Sequence, residues 1–191
     1  VLIMGDSLSA GFGIGQDESW VALLRKRLDA KGYGYTVVNA SISGDTTTSG
    51  LRRLPRALQT HQPAVVIIEL GGNDGLRATP VRTVRENLDE MIRLSREAGA
   101  EVVLAGMQIP TNYGAGYTEA FARIYPELAQ IHDVPLVEFF LEGVAANLPL
   151  NQADGIHPNE KGTIVIVKGI LPYVEKLIAQ IKAKPAAKVT Q

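Results

Sequence analysis

The chain has 191 residues, of which 46% are hydrophobic and 20% charged, and this composition excludes a disordered, collagen-like or low-complexity polymer. Its 19 basic and 20 acidic residues give a formal net charge of −1, which argues against a protein that binds nucleic acid through excess Lys and Arg. The lack of cysteine excludes disulfide bonds, zinc–thiolate sites, iron–sulfur clusters and thiol catalysis.

Five short apolar runs predict the strands of a parallel sheet. They lie at residues 1–4, 35–40, 64–70, 101–107 and 136–140. Each is nearly continuously apolar, as expected of parallel strands that helices cover on both faces. No apolar run approaches the roughly 18 residues that a membrane-spanning helix needs, so we expect no stable membrane insertion.

The segments between these runs have the residue spacing of helices. In the first, apolar residues within 20–28 recur on one helical face. Thr79 and Pro80 are typical of an N-cap followed by a first-turn proline. We expect Pro126 to kink or break a later helix, and Pro158 to open the last helical segment.

The alternation of strands and helices, without a hairpin signal, predicts an α/β protein whose parallel sheet has helices on both faces. A chain of this length can enclose one core, so we expect a single domain over residues 1–183. The segment 184–191 is small and polar, and we expect it to fray.

The loops that follow the strands carry small and polar residues, and ligands of open α/β sheets bind beyond the carboxyl ends of the strands. The loop after the first run contains Gly5-Asp6-Ser7. On a tight turn into a helix, a serine points its hydroxyl into the crevice, which makes Ser7 a candidate nucleophile. The alternative is that this tripeptide forms only a polar turn.

His157 is the candidate general base. Asp154 precedes it by three residues and Pro158 follows it. In a tight turn this spacing lets the carboxylate reach Nδ1 of the imidazole, which leaves Nε2 free to take a proton from Ser7. The alternative is that Asp154 caps the following helix and His157 lies in its first turn.

Asn73 and Gly44 are candidates for an oxyanion hole, together with the N–H of Ser7. Acyl transfer places negative charge on a carbonyl oxygen, and fixed N–H donors stabilise it. Asn73 offers a side-chain amide, and Gly44 offers a backbone N–H without a side chain to block close approach. The alternative is that both residues belong to plain turns.

Other chemistries find weaker support in the sequence. The phosphate-binding loop Gly-x-x-x-x-Gly-Lys-Ser/Thr and the Gly-x-Ser-x-Gly elbow are both absent. Gln16 stands where a dinucleotide fingerprint needs its third glycine. No compact cation-binding loop is visible, and we predict no metal, although four aspartates follow the strands and could meet at a hard cation: Asp6, Asp45, Asp74 and Asp154.

Taken together, four blocks of the sequence resemble the SGNH (GDSL) hydrolase superfamily. They are, in order, Gly5-Asp6-Ser7-Leu8-Ser9, Gly44, Gly71-Gly72-Asn73-Asp74 and Asp154-Gly155-Ile156-His157-Pro158. The stretch 107–114, with Tyr117, Phe121 and Tyr125, is similar to one branch of that superfamily, the multifunctional acyl-CoA thioesterase I, arylesterase and lysophospholipase group.

The resemblance implies a three-layer α/β/α, flavodoxin-like fold with a five-stranded parallel sheet in the order 2-1-3-4-5. It also implies Ser7 as the nucleophile, His157 as the base and Asp154 as the residue that orients it. Ser7, Gly44 and Asn73 would be the oxyanion donors. Members of this branch need no cofactor and are often exported to the periplasm.

We therefore predict a serine hydrolase that cleaves carboxylic esters and thioesters through an acyl-enzyme on Ser7. Aryl esters, acyl-CoA and lysophospholipid-type molecules are the expected substrates, and Ile109, Tyr113 and Tyr117 are expected to line the acyl groove. The alternative for these three residues is that they only pack their own loop. Two other functions stay open: a carbohydrate acetyl esterase of the same superfamily and a non-catalytic flavodoxin-like binding module.

The expected partners are small acyl esters or thioesters, without nucleic acid, and the expected state is a monomer. The chain starts directly in an apolar run, without an initiator Met. We therefore expect that an export signal preceded residue 1 and that the protein is periplasmic or secreted, with the cytoplasm as the alternative.

Overall fold

Five parallel strands form a single sheet in the computed structural model, which describes residues 1–183. The predicted frayed segment 184–191 lies outside the described residues. The strands are β1 (Leu2–Gly5), β2 (Val38–Asn39), β3 (Val65–Glu69), β4 (Glu101–Ala105) and β5 (Leu136–Val137). Their order is β2-β1-β3-β4-β5 and every neighbouring pair is parallel. The predicted fold class and strand order are confirmed.

Helices cover both faces of the sheet. Within residues 1–183 they are α1 (Ser7–Ala10), α2 (Trp20–Ala30), α3 (Thr47–His61), α4 (Gly72–Leu76), α5 (Val81–Glu97), α6 (Ala115–His132) and α7 (Glu160–Ala183). Short 3-10 turns occur at Gln16–Glu18, Thr111–Tyr113 and Leu148–Leu150. Helices α2 and α7 pack against each other on one face, and α3, α5 and α6 form the layer on the other. None of the described helices is long and apolar enough to cross a bilayer.

The three central strands are buried because helices cover them from both sides. The side chains of Leu2, Ile3 and Met4 in β1 are fully buried, and so are Val65–Ile68 in β3. Removing such side chains from water contributes about 1.5–3 kcal/mol each. The nearly continuous apolar runs in the sequence therefore reflect burial on two faces, as predicted.

The two edge strands are shorter than predicted. The runs 35–40 and 136–140 contain only the two-residue strands β2 and β5. Each edge strand forms hydrogen bonds with a neighbouring strand on one side only, so fewer of its residues are held in strand geometry than in the central strands. Beyond β5 the chain bends, and Phe140 N–H donates to Gly106 C=O at 2.8 Å. Apolar runs predicted burial here, but burial does not require a strand.

Three predictions about prolines and caps need correction or refinement. Pro126 does not interrupt α6, which continues to His132 because Tyr125 and Leu128 beside it are buried in the core. Thr79 is not an N-cap, since α5 begins at Val81 after Pro80. Pro158 precedes α7 by two residues, and the side chain of Asn159 accepts hydrogen bonds from the first N–H groups of that helix.

Two glycines in α7 give a matched test of this packing. A Cβ added to Gly162 would lie 2.3 Å from the carbonyl oxygen of Leu150, whereas one added to Gly169 meets nothing within 4 Å. We expect Gly162→Ala to destabilise the protein by about 1–3 kcal/mol through overpacking. Gly169→Ala should stabilise it by up to about 1 kcal/mol through helix propensity. Urea unfolding of both variants measures the difference; equal stabilities would contradict the packing described.

Candidate active site

Four loops meet at the carboxyl end of the sheet. They follow β1, β2 and β3 and precede α7, and hydrogen bonds join them pairwise. Because all neighbouring strands are parallel, their carboxyl ends lie at the same edge of the sheet. Residues far apart in sequence, such as Ser7 and His157, are therefore neighbours.

The loop after β1 is a tight turn built around Gly5 and Asp6. β1 ends at Gly5 and α1 begins at Ser7, and Asp6 Oδ1 accepts a hydrogen bond of 3.0 Å from the N–H of Leu8. A Cβ on Gly5 would lie 2.6 Å from Glu69 Oε2, so glycine is required at this close approach. Ser7 is thereby the first residue of the short helix, and its hydroxyl faces the loop that carries His157.

A continuous hydrogen-bond chain joins Ser7, His157 and Asp154. Ser7 Oγ lies 2.9 Å from His157 Nε2, and His157 Nδ1 lies 2.7 Å from Asp154 Oδ2. A carboxylate only accepts hydrogen bonds, so Nδ1 carries the proton and Nε2 accepts from the serine hydroxyl. This is the geometry of a nucleophile with its base and orienting acid.

Asp154 shapes the turn as well as facing the imidazole. Its Oδ1 accepts hydrogen bonds from the N–H of Ile156 at 2.9 Å and of His157 at 3.0 Å. Three hydrogen bonds lower the pKa of Asp154 to about 2: one from the backbone N–H of His157, one from the ring of His157 and one from the backbone N–H of Ile156. The carboxylate is therefore charged at neutral pH. It does not cap α7, because Asn159 does, and the capping alternative is wrong.

Asn73 bridges the loops after β1 and β2. Its Nδ2 donates to Asp6 Oδ2 at 3.0 Å and to the carbonyl oxygen of Asp45 at 2.9 Å. Asp6 precedes Ser7 in the chain and Asp45 follows Gly44, so the amide lies between the two other predicted oxyanion donors. Both of its hydrogens face acceptors, and an oxyanion would have to share one of them.

The backbone N–H groups of Ser7 and Gly44 are unpaired within residues 1–183. Ser7 opens a helix, where the first N–H groups have no partner inside the helix. Gly44 has a φ of +82° in an exposed turn closed by the N–H of Asp45, a conformation that favours glycine. Arg77 donates to the carbonyl oxygen of Gly44 at 3.3 Å. This contact does not involve the N–H of Gly44.

A buried carboxyl group that the sequence interpretation missed lies beneath the nucleophile turn. Glu69 ends β3 and is fully buried. Its Oε2 accepts from Ser9 Oγ and, at 3.4 Å, from the N–H of Asp6, and Trp20 Nε1 donates to Ser9 Oγ at 3.2 Å. The one available signal was an acidic residue at the end of an otherwise apolar strand, which marks a buried charge that needs partners.

Burial acts on both carboxyl groups under the turn. Removal from water raises the pKa of Glu69 well above its ordinary value, and the nearby Asp6 raises it further. Burial likewise raises the pKa of Asp6 to about 6, against the lowering effect of the Leu8 N–H. Glu69 Oε1 has no hydrogen-bond partner among the described residues, which fits a carboxyl group that folds in its neutral form.

The three residues predicted to line an acyl groove hold a neighbouring loop. Tyr113 Oη donates to the carbonyl oxygen of Leu76 at 2.8 Å, and Tyr117 Oη donates to that of Thr79 at 2.7 Å. Ile109 is buried and packs against Gly75, where a Cβ would lie 2.3 Å from its Cγ2. These contacts match the packing alternative, and direct contact with a substrate stays a prediction.

The four aspartates considered as cation ligands do not gather at one point. Asp45 pairs with Arg53, and Asp74 accepts two hydrogen bonds of 2.8 Å from Thr47. Asp6 faces Asn73 and Asp154 faces His157. Among the described residues, no three His, Asp or Glu side chains come together as metal ligands. Each carboxylate instead has its own structural partner.

His157 has a further neighbour that the sequence interpretation did not single out. The ring of Phe12 lies with its centroid 4.6 Å from that of the imidazole. Its carbonyl oxygen accepts a hydrogen bond of 2.7 Å from Gln152, which belongs to the loop that carries the histidine. In the sequence, Phe12 stands between two glycines, and nothing in this pattern indicates that its ring contacts His157.

Comparison with known proteins gives consistent matches over most of the chain. The profile of the GDSL-like lipase/acylhydrolase family matches residues 3–163. Esterase TesA of Pseudomonas aeruginosa is 48% identical over 93% of this chain and 89% of its own. Thioesterase 1/protease 1/lysophospholipase L1 of Escherichia coli K12 is 44% identical over 93% and 84%. A crystal structure of TesA superposes with a TM-score of 0.89, at 48% identity, over 92% of this chain and 98% of that one.

The buried position of Glu69 predicts a dependence of stability on pH. Because its pKa is raised in the folded protein, the folded state binds that proton more tightly than the unfolded chain does. The free energy of unfolding should therefore fall as the pH rises above the ordinary glutamate pKa of 4.5. Glutamine has the same shape as glutamate and no charge, so Glu69→Gln should remove the part of this decrease in unfolding free energy that is due to Glu69.

Urea unfolding of both proteins at pH 5 and pH 8 measures this effect. Relative to the wild type, the variant should gain stability between the two values. A difference between wild type and variant that is the same at pH 5 and pH 8 would show that Glu69 does not fold in its neutral form.

Proposed function

The chain belongs to the GDSL-like lipase/acylhydrolase family and is a carboxylic ester hydrolase, and from this premise we propose that Ser7, His157 and Asp154 perform the reaction. Ser7 is the nucleophile, His157 the general base and Asp154 the acid that orients it. The observation that carries the proposal is the unbroken chain of contacts from Ser7 Oγ through the imidazole to Asp154, with distances of 2.9 and 2.7 Å.

In the first half of the reaction, Ser7 Oγ attacks the acyl carbonyl carbon. His157 Nε2 takes the hydroxyl proton as the new C–O bond forms, and the carbonyl π electrons move onto oxygen. The charged carboxylate of Asp154 holds Nδ1–H and stabilises the positive imidazolium. When the tetrahedral intermediate collapses, Nε2–H protonates the leaving alcohol or thiol, and the acyl group stays on Ser7.

In the second half, water takes the place of the alcohol. His157 Nε2 removes a proton from the water as its oxygen attacks the acyl carbon. Collapse of the second tetrahedral intermediate releases the carboxylic acid and returns the proton to Ser7 Oγ. The same imidazole thus acts as base and then as acid in each half.

The oxyanion is proposed to bind the N–H groups of Ser7 and Gly44 and the amide of Asn73. The two backbone groups are unpaired among the described residues and so need no rearrangement. The Asn73 amide is held between Asp6 and Asp45, and one of its hydrogens would be shared with the oxyanion. Donors fixed before the reaction stabilise charge at no cost of reorganisation.

The substrate class follows from the relatives and from the surroundings of the site. Relatives bear the names esterase and thioesterase/lysophospholipase, and we propose acyl esters and thioesters as the substrates. Ile156 directly precedes His157 and Leu76 follows Asn73 by three residues; both apolar side chains are exposed and offer contacts to an acyl group. Neither a carbohydrate acetyl esterase nor a non-catalytic binding module is favoured.

Further expectations from the sequence concern the domain, its location and its oligomeric state. Residues 1–183 share one hydrophobic core around the sheet, and we propose that they act as one domain. A periplasmic or secreted location, with the cytoplasm as the alternative, and a monomeric state stay predictions. The proposed chemistry needs no cofactor, since the side chains named supply nucleophile, base and oxyanion donors.

Covalent labelling tests the identity of the nucleophile. A p-nitrophenyl alkylphosphonate should phosphonylate Ser7 in the wild-type protein, because the attacking oxygen displaces p-nitrophenolate from phosphorus. Ser7→Ala should take up no label and should lose at least about 10³-fold in turnover of p-nitrophenyl esters. Peptide mass spectrometry locates the adduct. A label on another residue, or a variant with full activity, would refute the role of Ser7.

The role of Asn73 predicts a loss of turnover without unfolding. We expect Asn73→Ala to lower kcat for a p-nitrophenyl ester by about 10²–10³-fold, the usual cost of one oxyanion donor. Asn87→Ala is a matched control, since that amide binds the hydroxyl groups of Thr47 and Thr48 instead and its loss should leave kcat unchanged. Circular dichroism checks that both variants fold. A kcat near that of the wild type for Asn73→Ala would exclude its role.

A further inference from the structure

The segment that follows α1 touches the loop carrying His157 at two points. The centroid of the Phe12 ring lies 4.6 Å from that of the imidazole, and the two planes are tilted by 40°. Phe12 is 50% exposed, so this ring is not part of the hydrophobic core. Among the described residues, the aromatic ring that Phe12 contacts is that of His157. Packing in the core therefore does not explain the position of this phenylalanine.

The loop that carries His157 closes on itself but leaves the imidazole plane weakly restrained. Asn151 and Pro158 pair across its base, and Gln152 N–H donates to the carbonyl oxygen of His157 at 2.7 Å. Residues 153–156 between them are exposed. Asp154 and Ser7 each hydrogen-bond one nitrogen of the ring. Once Ser7 is acylated its oxygen has no proton to donate, and the single hydrogen bond to Asp154 then does not fix rotation of the ring plane about it.

The side chain of Gln152 ties this loop to Phe12. Its Nε2 donates to the carbonyl oxygen of Phe12 at 2.7 Å and to that of Pro158 at 3.0 Å. Gly13 has a φ of +73°, and a Cβ there would lie 2.1 Å from Gln152 Oε1. The glycine therefore admits the glutamine side chain, and the backbone on both sides of the histidine ring is held in one place.

We propose that Phe12 is a positioning residue for His157 and that Gln152 anchors it. The aromatic ring restricts rotation of the imidazole, so that Nε2 stays aimed at Ser7 Oγ. The ring also lies next to the positive charge that forms on the imidazole during the reaction, and aromatic rings attract cations placed over them. Small misplacements of a catalytic group lower rates by as much as about 10²-fold. The inference rests on the proposed roles of Ser7 and His157.

A different role for a half-exposed phenylalanine is to contact the substrate. The two roles differ in the kinetic constant that they affect. Loss of a contact made equally with bound substrate and transition state raises KM, whereas misplacement of the base lowers kcat. The rate of phosphonylation of Ser7 adds a readout that does not depend on acyl binding.

The experiment compares Phe12→Ala, Phe12→Leu and Phe12→Tyr. We measure kcat and KM with p-nitrophenyl acetate, whose acyl group is too short to fill a groove, and the rate of phosphonylation with a p-nitrophenyl methylphosphonate. We expect Phe12→Ala to lose about 10–100-fold in kcat and in phosphonylation rate, with KM within about threefold. Phe12→Tyr should recover both rates, and Phe12→Leu should recover them only in part.

Two further variants complete the design. Gln152→Glu keeps the side-chain shape but replaces the amide donor by a carboxylate facing two carbonyl oxygens, and it should lower the same two rates. Ile131→Ala removes another exposed apolar side chain, 61% exposed on α6, and should change neither rate. Circular dichroism checks that each variant folds. If Phe12→Ala does not fold, the comparison of Phe12→Tyr with Phe12→Leu tests the proposal.

The outcomes separate this inference from the proposed function. Unchanged rates in Phe12→Ala, a change in KM alone, or full recovery by leucine would overturn the positioning role. In those cases labelling of wild-type Ser7, and its loss in Ser7→Ala, would still stand. If the wild type is not labelled at Ser7, the proposed function itself fails.

Discussion

The hydrogen bond between Ser7 Oγ and His157 Nε2 is the contact that organises the reactive end of this protein. It joins residues 150 positions apart, one in the turn after the first strand and the other before the last helix. Neither loop alone has a reactive geometry. The parallel sheet brings them together because every strand ends at the same edge, and the helices that return the chain lie on its faces.

Carboxyl groups near this contact have opposite environments and therefore opposite roles. Asp154 is held by N–H donors at the surface, which lower its pKa to about 2 and keep it charged. Asp6 and Glu69 lie under the nucleophile turn, where burial raises the pKa of each. The first carboxylate can stabilise an imidazolium, whereas the other two hold the backbone of the turn and the amide of Asn73 in place.

The amount of the site that a sequence reveals depends on whether its partners are close in the chain. Asp154 and His157 are three residues apart in one turn, so their contact was open to prediction, although the capping alternative could be excluded only when Asn159 was seen to cap α7. The contacts of Phe12 with His157 and of Glu69 with Ser9 join separate elements. No spacing rule predicts such pairs, because they depend on how elements pack.

The same distinction explains the errors in the fold. The apolar run at 35–40 gave no sign that only two residues would pair at a sheet edge. Pro126 was expected to kink or break a helix that in fact continues to His132, where its neighbours Tyr125 and Leu128 are buried in the core. Local preferences of one residue are worth a few kcal/mol at most, and packing in the core exceeds them.

The sequence alone determined the alternation of strands and helices, the parallel sheet and the residue types available at its carboxyl edge, since these depend on local periodicity and on turn residues. Only the tertiary structure decided which of these residues meet, that Tyr113 and Tyr117 bind the carbonyl groups of a neighbouring loop, and that Asn73 spans two loops. Hydrogen bonds and burial act over a few ångströms in space. The distance between two side chains is set by the packing of the whole chain.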